Sequence, residues 1–117
     1  MTRTAMALAL ALALAAASMA ASAAAPQGNA ARGKSVFTSE MCWTCHGTEG
    51  HGSVYGPQLA PHVFPWEAFA NQVRHPMSSM PAYAPRYLTD KDLADIYAYL
   101  SSMPEGAKAS TIPLLKD

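Results

Sequence analysis

The side chains best suited to chemistry in this sequence are its two cysteines and the histidine that follows them. Cys42 and Cys45 are separated by two residues, and His46 comes directly after the second cysteine. Two thiols three positions apart on one turn can each add across one vinyl group of a haem, and the adjacent imidazole can then bind the iron. The spacing therefore predicts one covalently attached haem c, bound through Cys42 and Cys45, with His46 as the proximal iron ligand.

Three other interpretations use the same two cysteines. A thioredoxin-like redox site would follow a strand in a βαβ pattern, and no such pattern surrounds these residues. A zinc site would need two more ligands, and His51 and His62 do not have the spacing of a zinc finger. A plain structural disulfide would leave His46 without a role. Haem attachment is the interpretation that uses all three side chains.

A haem iron bound by one histidine needs a second axial ligand. The other side chains after residue 23 that can bind haem iron are Met41, Met77, Met80, Met103, His51, His62 and His75. Met80 is favoured because Pro81 biases it towards an extended backbone, and the prolines around it limit the freedom of the unfolded loop. Met77 shares part of this context, and His62 or His75 is the next alternative.

A short helix is predicted before the cysteines and a long loop after them. Asn29 can cap a helix over about 30–40, and Gly33 and Phe37 share one face of it because they lie four residues apart. A glycine on that face lets a second helix approach closely. Residues 47–65 contain four glycines and three prolines, which predicts a loop.

Two further helices are predicted towards the C-terminus. The first covers 66–74 after Pro65, and its predicted buried side consists of Trp66, Phe69, Ala70 and Val73. Prolines keep residues 76–85 out of a helix. The last helix begins after the cap Thr89 and ends before Pro104, with Leu93, Ile96, Tyr97 and Leu100 at helical spacing. No segment alternates with the period of a strand, so the predicted fold class is all-α.

The N-terminal segment has the composition of a secretory signal. Arg3 supplies a positive start, Ala5–Ala17 an apolar stretch, and Ala21-Ser22-Ala23 a cleavage site of small residues. We therefore predict a cleaved signal peptide over 1–23, export to the periplasm and a domain over 24–117. An uncleaved membrane anchor is the alternative, although alanine-rich segments insert weakly and no aromatic or basic cluster marks the far interface.

Charge and size narrow the functional classes further. The chain has eight basic and eight acidic residues, so it lacks the positive excess that a nucleic-acid binder needs to displace counterions. About 94 residues with three short helices bury little surface on their own. A covalently bound, largely apolar haem would supply the missing part of the core.

The chain resembles the class I cytochromes c, the small single-haem, mitochondrial-like family. The matching features are Gly33 with Phe37, the run Cys42–Gly47, Gly56–Leu59, Met80–Tyr83 and the final helical stretch Asp95–Leu100. They cover a core of about 30–103 and leave 104–117 as a C-terminal tail. The tail contains the apolar stretch Ile112–Leu115, which either stays mobile, lies over the domain or inserts into a partner.

The resemblance implies specific roles for residues outside the attachment motif. The carbonyl of Pro57 would accept a hydrogen bond from Nδ1–H of His46, and Met80 would be the distal iron ligand. The first and last helices would cross, with Gly33 and Phe37 meeting Tyr99. The class I cytochrome c fold, with short helices wrapped around one haem, is thus the expected architecture.

The resemblance also implies electron transfer rather than enzymatic catalysis. Iron bound by His46 and Met80 has no open position for a substrate, and thioether ligation favours the reduced state. The chain is similar to cytochrome subunits of periplasmic dehydrogenases, which predicts such an enzyme as electron donor and a downstream cytochrome or oxidase as acceptor. The domain has only Lys34, Lys91, Lys108 and Lys116, too few for the lysine ring with which eukaryotic members dock. Membrane association is not expected unless the leader is retained.

Two alternatives to the carrier remain open at this point. In a haem enzyme or ligand sensor the distal position would be open or displaceable, with His62 or His75 as the acid–base group. In a thiol–disulfide oxidoreductase there would be no haem. The role of Arg74 is also open, since it could pair with a haem propionate or lie exposed at a helix end.

Overall fold

The computed structural model describes residues 24–115, and in this range the fold is helical with no strand. The helices are α1 (Ala30–Ser39), α2 (Trp43–His46), α3 (Trp66–Arg74) and α4 (Asp90–Ser101), followed by two 3-10 turns, Ala109–Thr111 and Pro113–Leu115. The predicted all-α class is therefore confirmed. The predicted signal peptide over 1–23 lies outside the described residues. Within them, no helix has the length and apolar character needed to cross a membrane.

The helices begin at the residues whose side chains can cap them. The Asn29 side chain accepts a hydrogen bond from the Arg32 amide at 2.9 Å at the start of α1. Thr89 and Asp92 form a reciprocal capping box at the start of α4. The predicted bounds of α3 agree with the structure. Helix α4 ends at Ser101, three residues before the proline that the sequence suggested as its limit.

The crossing of α1 and α4 is the centre of the fold. A Cβ atom on Gly33 would lie 1.9 Å from the carbonyl oxygen of Asp95, so only glycine allows this approach. One turn further along, the rings of Phe37 and Tyr99 pack with their centroids 5.7 Å apart. The crossing was expected to bring both Gly33 and Phe37 to Tyr99. Phe37 does meet Tyr99, whereas Gly33 meets the α4 backbone at Asp95.

Helix α3 packs against α4 through aromatic rings. The Tyr97 ring lies edge-on to Trp66 at 5.5 Å and to Phe69 at 5.2 Å between centroids. Phe69 and Val73 are buried, but Trp66 and Ala70, which were predicted to be buried, are only half-buried. The buried hydrophobic residues as a whole are Phe37, Ala60, Phe69, Val73, Leu88, Leu93, Ala94, Ile96, Tyr99 and Leu100.

A buried carboxylate joins the start of α1 to α4. Asp95 is fully buried and accepts hydrogen bonds from the Asn29 amide at 2.7 Å, from the Arg32 guanidinium, and from Lys91 Nζ at 3.1 Å. These donors, with the Asn29 amide first, lower the pKa of Asp95 to about 2 although burial acts in the opposite direction. No local sequence pattern indicates this role of Asp95.

The C-terminal tail begins against the loop that follows the cysteines. The Nε2 atom of His51 lies 2.9 Å from the Pro104 carbonyl oxygen, and Nε2 of His62 lies 2.7 Å from Oε1 of Glu105. Further on, Leu114 is 95% exposed. The tail therefore contacts the domain at its start, while Leu114 and Leu115 at its apolar end are exposed.

Candidate haem-binding site

The two thiols lie on one helical turn. Cys42 is the N-cap of α2, and the amides of Cys45 and His46 both donate to its carbonyl, at 3.3 and 3.0 Å. Both cysteines are free thiols, with Cys42 half-buried and Cys45 exposed. Side chains at positions i and i+3 of a turn face the same side. Both thiols are thus presented to one group from one side of α2.

A left-handed residue leads the chain from α1 into the turn over residues 42–46, here called the attachment turn. Met41 has φ of 58°, a conformation that L side chains rarely adopt, and its side chain is 60% exposed. The carbonyl of Met41 accepts hydrogen bonds from Thr44, at 2.7 Å from the hydroxyl and 3.1 Å from the amide. The sharp change of direction lets α2 follow α1 with only three residues between them.

The loop after α2 (residues 47–65, here called the proximal loop) fixes the orientation of the His46 side chain. The Nδ1 atom of His46 lies 2.9 Å from the carbonyl oxygen of Pro57, which is the contact that the family resemblance implies. A carbonyl can only accept, so Nδ1 carries the proton and Nε2 is left with a free lone pair for a metal. Gly52 donates from its amide to the His46 carbonyl at 2.7 Å and fixes the loop from the other side.

The loop is fastened to the attachment turn at Cys45. The Ser53 hydroxyl donates to the Cys45 carbonyl at 2.5 Å, and a Cβ atom on Gly56 would lie 2.9 Å from the same oxygen. The backbone of Gly56 therefore packs directly on α2. This close approach places Pro57, the next residue, against His46.

The two candidate methionines differ in their surroundings. Met80 is half-buried and packs against the hydrophobic core, and the Gln72 side-chain amide donates to its sulfur at 3.9 Å. Met77 is 77% exposed. Its backbone amide lies 3.5 Å from Oε1 of Gln72, so the same glutamine contacts both methionines. A thioether held inside the fold is better placed to reach a buried metal than one in solvent.

The histidines considered as alternatives have other environments. The His62 side chain is 82% exposed beside Glu105, and His75 is exposed at the C-terminal end of α3. In the part of the chain that is described, no cluster of three or more His, Cys, Asp or Glu side chains is placed to hold a metal ion. A zinc site built from Cys42 and Cys45 with His51 or His62 consequently finds no third ligand here.

Burial makes the thiol of Cys42 a weaker acid. It raises the pKa of Cys42 to about 11, with a smaller contribution from the negative charge of Glu40. The nucleophile of thiol–disulfide exchange is the thiolate, which such a shift depletes at neutral pH. The environment of Cys42 therefore does not favour an oxidoreductase that works through its cysteines.

The residues around the turn fit a haem. Two reduced thiols and an imidazole with a free Nε2 lie on one turn, and a half-buried thioether lies in a separate segment. Several apolar side chains pack against the core yet stay half-exposed, namely Cys42, Leu59, Val63, Trp66, Met80, Tyr83 and Tyr97. A planar apolar group can cover such surface, and this donor set is that of a haem c.

Arg74 makes contacts that its position at a helix end did not suggest, and its pairing with a haem propionate stays a prediction. Its side chain is only 12% exposed, so it is not an exposed helix-end arginine. One guanidinium nitrogen donates to the carbonyls of Tyr83 and Leu88, at 2.8 and 2.7 Å. The other pairs with Asp90 at 2.7 Å. Arginine at this position binds the chain's own backbone, a role that only the tertiary structure reveals.

The chain is similar to a known protein family over most of its described length. The family model described as cytochrome C oxidase, cbb3-type, subunit III matches residues 28–100. This range begins just before α1 and ends near the C-terminus of α4, so it contains the attachment turn, the proximal loop and the Met80 segment. No curated protein and no solved structure matches the chain.

Proposed function

The chain belongs to the cytochrome c family described as cytochrome C oxidase, cbb3-type, subunit III, and from this premise we propose that it is a periplasmic one-electron carrier with a single haem c. Cytochrome c domains perform haem-based electron transfer, and they usually work outside the cytoplasm. When bound, the haem supplies one iron that changes its oxidation state by one electron. The observation that carries the proposal is the placement of both reduced thiols and of His46, oriented by Pro57, on one turn.

Each residue of the site has a distinct task in this proposal. Cys42 and Cys45 hold the haem covalently through thioether bonds. His46 presents Nε2 to the iron because the Pro57 carbonyl binds its Nδ1–H and fixes the tautomer. Met80 presents its sulfur as the distal ligand, and its half-buried position supports this choice over the exposed Met77.

Ligation by a histidine and a methionine supports a carrier rather than an enzyme. Both axial positions are then occupied by side chains, which leaves no position at which a substrate could bind. A thioether ligand and a buried site both favour the reduced state. His62 is 82% exposed beside Glu105 and His75 is exposed at the end of α3, so neither residue supports the alternative of a haem enzyme or ligand sensor.

The proposed donor is a periplasmic dehydrogenase, and the proposed acceptor is a downstream cytochrome or oxidase. The surface near the attachment turn supports docking through apolar contacts: Val54 and Tyr55 are 91% and 80% exposed, and the neighbouring Ser53 binds Cys45. The chain has equal numbers of acidic and basic residues, so strong electrostatic steering is not expected. Association with such a partner should accordingly depend weakly on salt.

The full chain is expressed with an export pathway and together with haem c maturation machinery. Its optical spectrum is then recorded in the oxidised and reduced forms. We expect a covalent low-spin haem whose Met–iron charge-transfer band disappears in Met80→Ala and persists in Met77→Ala, the matched control. Loss of the band in Met77→Ala alone would transfer the ligand role to that residue. A high-spin spectrum in the unmodified protein would favour the ligand-binding alternative, and absence of covalent haem would refute the proposal.

A further inference from the structure

The segment that carries Met80 has little regular structure of its own. Residues 80–88, here called the distal segment, connect the region after α3 to the cap of α4 and contain two prolines, which donate no backbone hydrogen bond. Within the segment, Tyr87 and Leu88 both donate to the Ala84 carbonyl, at 2.9 and 3.1 Å. The position of Met80 therefore depends on what fastens the distal segment to the helices.

Arg74 fastens the distal segment from one side. Its Nη1 atom bridges the carbonyls of Tyr83 and Leu88, and its Nη2 atom pairs with Asp90 in the first turn of α4. A single planar guanidinium thus connects the end of α3, the middle and end of the distal segment, and α4. The geometry uses the fork of donors that distinguishes arginine from lysine.

Tyr83 fastens the same segment from a second side. Its backbone amide donates to the Val73 carbonyl at 3.1 Å, and its hydroxyl donates to the Glu40 carbonyl at 3.2 Å. Glu40 follows the last residue of α1 and lies two residues before Cys42. The hydroxyl contact therefore links the segment with the distal ligand to the chain that leads into the attachment turn.

We propose that Arg74 and Tyr83 form a clamp that holds the distal segment closed, and that this clamp sets how readily an external ligand displaces Met80. The inference rests on the proposed function, because it takes Met80 as the distal iron ligand. Neither residue binds the iron, so both are positioning residues. Met80 lies three residues before Tyr83, so a displacement of Met80 that moves the segment away must break the clamp bonds.

The test is the affinity of the oxidised holoprotein for imidazole, measured by the loss of the Met–iron charge-transfer band. Weakening the clamp should raise this affinity. Tyr83→Phe removes one hydroxyl contact and keeps the ring, so the affinity should rise about 2- to 12-fold, the range of one net hydrogen bond. Arg74→Gln removes three contacts and should raise it by about 10-fold or more. Arg74→Lys keeps the charge without the fork and should give an intermediate value. Tyr83→Phe keeps the test decisive if Arg74→Gln does not fold.

Two control variants separate the clamp from charge and from global stability. Arg86→Gln removes one positive charge from the distal segment, where Arg86 is exposed and stacks over Tyr87 at 4.6 Å. Its imidazole affinity should stay within about twofold of the unmodified protein. Asp95→Asn weakens the α1–α4 contact, whose partners are Asn29, Arg32 and Lys91, outside the distal segment. It should lower stability without raising the imidazole affinity.

The outcomes distinguish the clamp from the proposed function. Values for Tyr83→Phe and Arg74→Gln within twofold of Arg86→Gln would overturn the clamp and leave Met80 ligation standing. An equal rise in Asp95→Asn would also overturn it, because the effect would then follow global stability. An unmodified protein without the charge-transfer band would overturn ligation by Met80 itself and the clamp with it.

Discussion

Replacing the buried carboxylate of Asp95 with the amide of Asn is expected to destabilise the protein by about 2–3 kcal/mol at neutral pH. The carboxylate accepts hydrogen bonds from the Asn29 amide, Arg32 and Lys91, and it is fully buried. An amide can still accept from Asn29, but its NH₂ group would face two cations. The α1–α4 contact would therefore lose its charged component while its apolar packing remained.

The magnitude follows from the pKa of Asp95. The folded structure lowers this pKa from 3.8 to about 2, which corresponds to about 2 kcal/mol at 1.36 kcal/mol per pKa unit. Because the folded-state pKa is the lower one, the stabilisation is complete above the unfolded value and is lost as the pH falls through about 2. About half of it should be gone by pH 3. The side chains of Arg32 and Lys91 are 48% and 69% exposed, so they regain water in the variant and the cost stays below that of an orphaned buried charge.

The assay is urea unfolding of the holoprotein, followed by far-ultraviolet circular dichroism between about pH 7 and pH 3. Effects of pH that do not involve Asp95 are common to both proteins, so the measured quantity is the difference in unfolding free energy between the unmodified protein and Asp95→Asn. That difference should shrink by about 1 kcal/mol over this range. Glu67→Gln, which removes an exposed carboxylate from the first turn of α3, is the control for the loss of one carboxylate and should change stability by less than about 0.5 kcal/mol. A difference for Asp95→Asn that stays constant to pH 3 would refute the electrostatic reasoning.

Two further substitutions test the backbone geometry around α1 by the same unfolding measurement. Gly33→Ala places a Cβ atom 1.9 Å from the Asp95 carbonyl oxygen, so the helices must separate. The free energy of unfolding should fall by about 3 kcal/mol. The control is Ser35→Ala at an exposed position of the same helix, which should change stability by less than about 0.5 kcal/mol. An unchanged urea midpoint for Gly33→Ala would contradict the close crossing. Met41→Gly removes a left-handed cost of about 1–2 kcal/mol and adds about 0.5–1 kcal/mol of unfolded-state freedom, so a net gain of about 0.5 kcal/mol is expected. A loss above about 1 kcal/mol would mean that the Met41 side chain stabilises the turn.

The helices were predictable because their signals are local. The caps Asn29 and Thr89 and the apolar spacing in α3 and α4 each lie within a few residues of the helix they define. The predictions that Trp66 and Ala70 are buried were wrong. Their spacing places them on the core side of α3, but their burial depends on what covers that face. Periodicity gives the direction of a side chain, whereas the depth of burial is a property of the assembled fold.

The proposed haem-attachment residues Cys42, Cys45 and His46 could be recognised as candidates from the sequence because they lie within five consecutive positions, on one turn. The contact of His46 with Pro57 spans eleven residues of glycine-rich loop, and only the family resemblance suggested it. The partners of Asp95 and Arg74 remained hidden for a related reason. Asn29 and Asp95 are separated by 66 positions, and no local pattern shows which backbone groups a charged side chain will meet.

The two segments that carry the proposed axial ligands are both fastened to the backbone around the same turn. The proximal loop binds the Cys45 carbonyl through Ser53, and the distal segment binds the Glu40 carbonyl through Tyr83. A displacement of the attachment turn would thus carry the partners of His46 and Met80 with it and preserve their mutual geometry. When both segments are bound to the same turn, the site needs little rearrangement as its charge changes. A small rearrangement is what fast transfer of one electron requires. The acceptors of both contacts are backbone carbonyls, so the contacts should persist through many side-chain substitutions on α1 and α2. Loss of the Tyr83 hydroxyl would remove the contact of the distal segment.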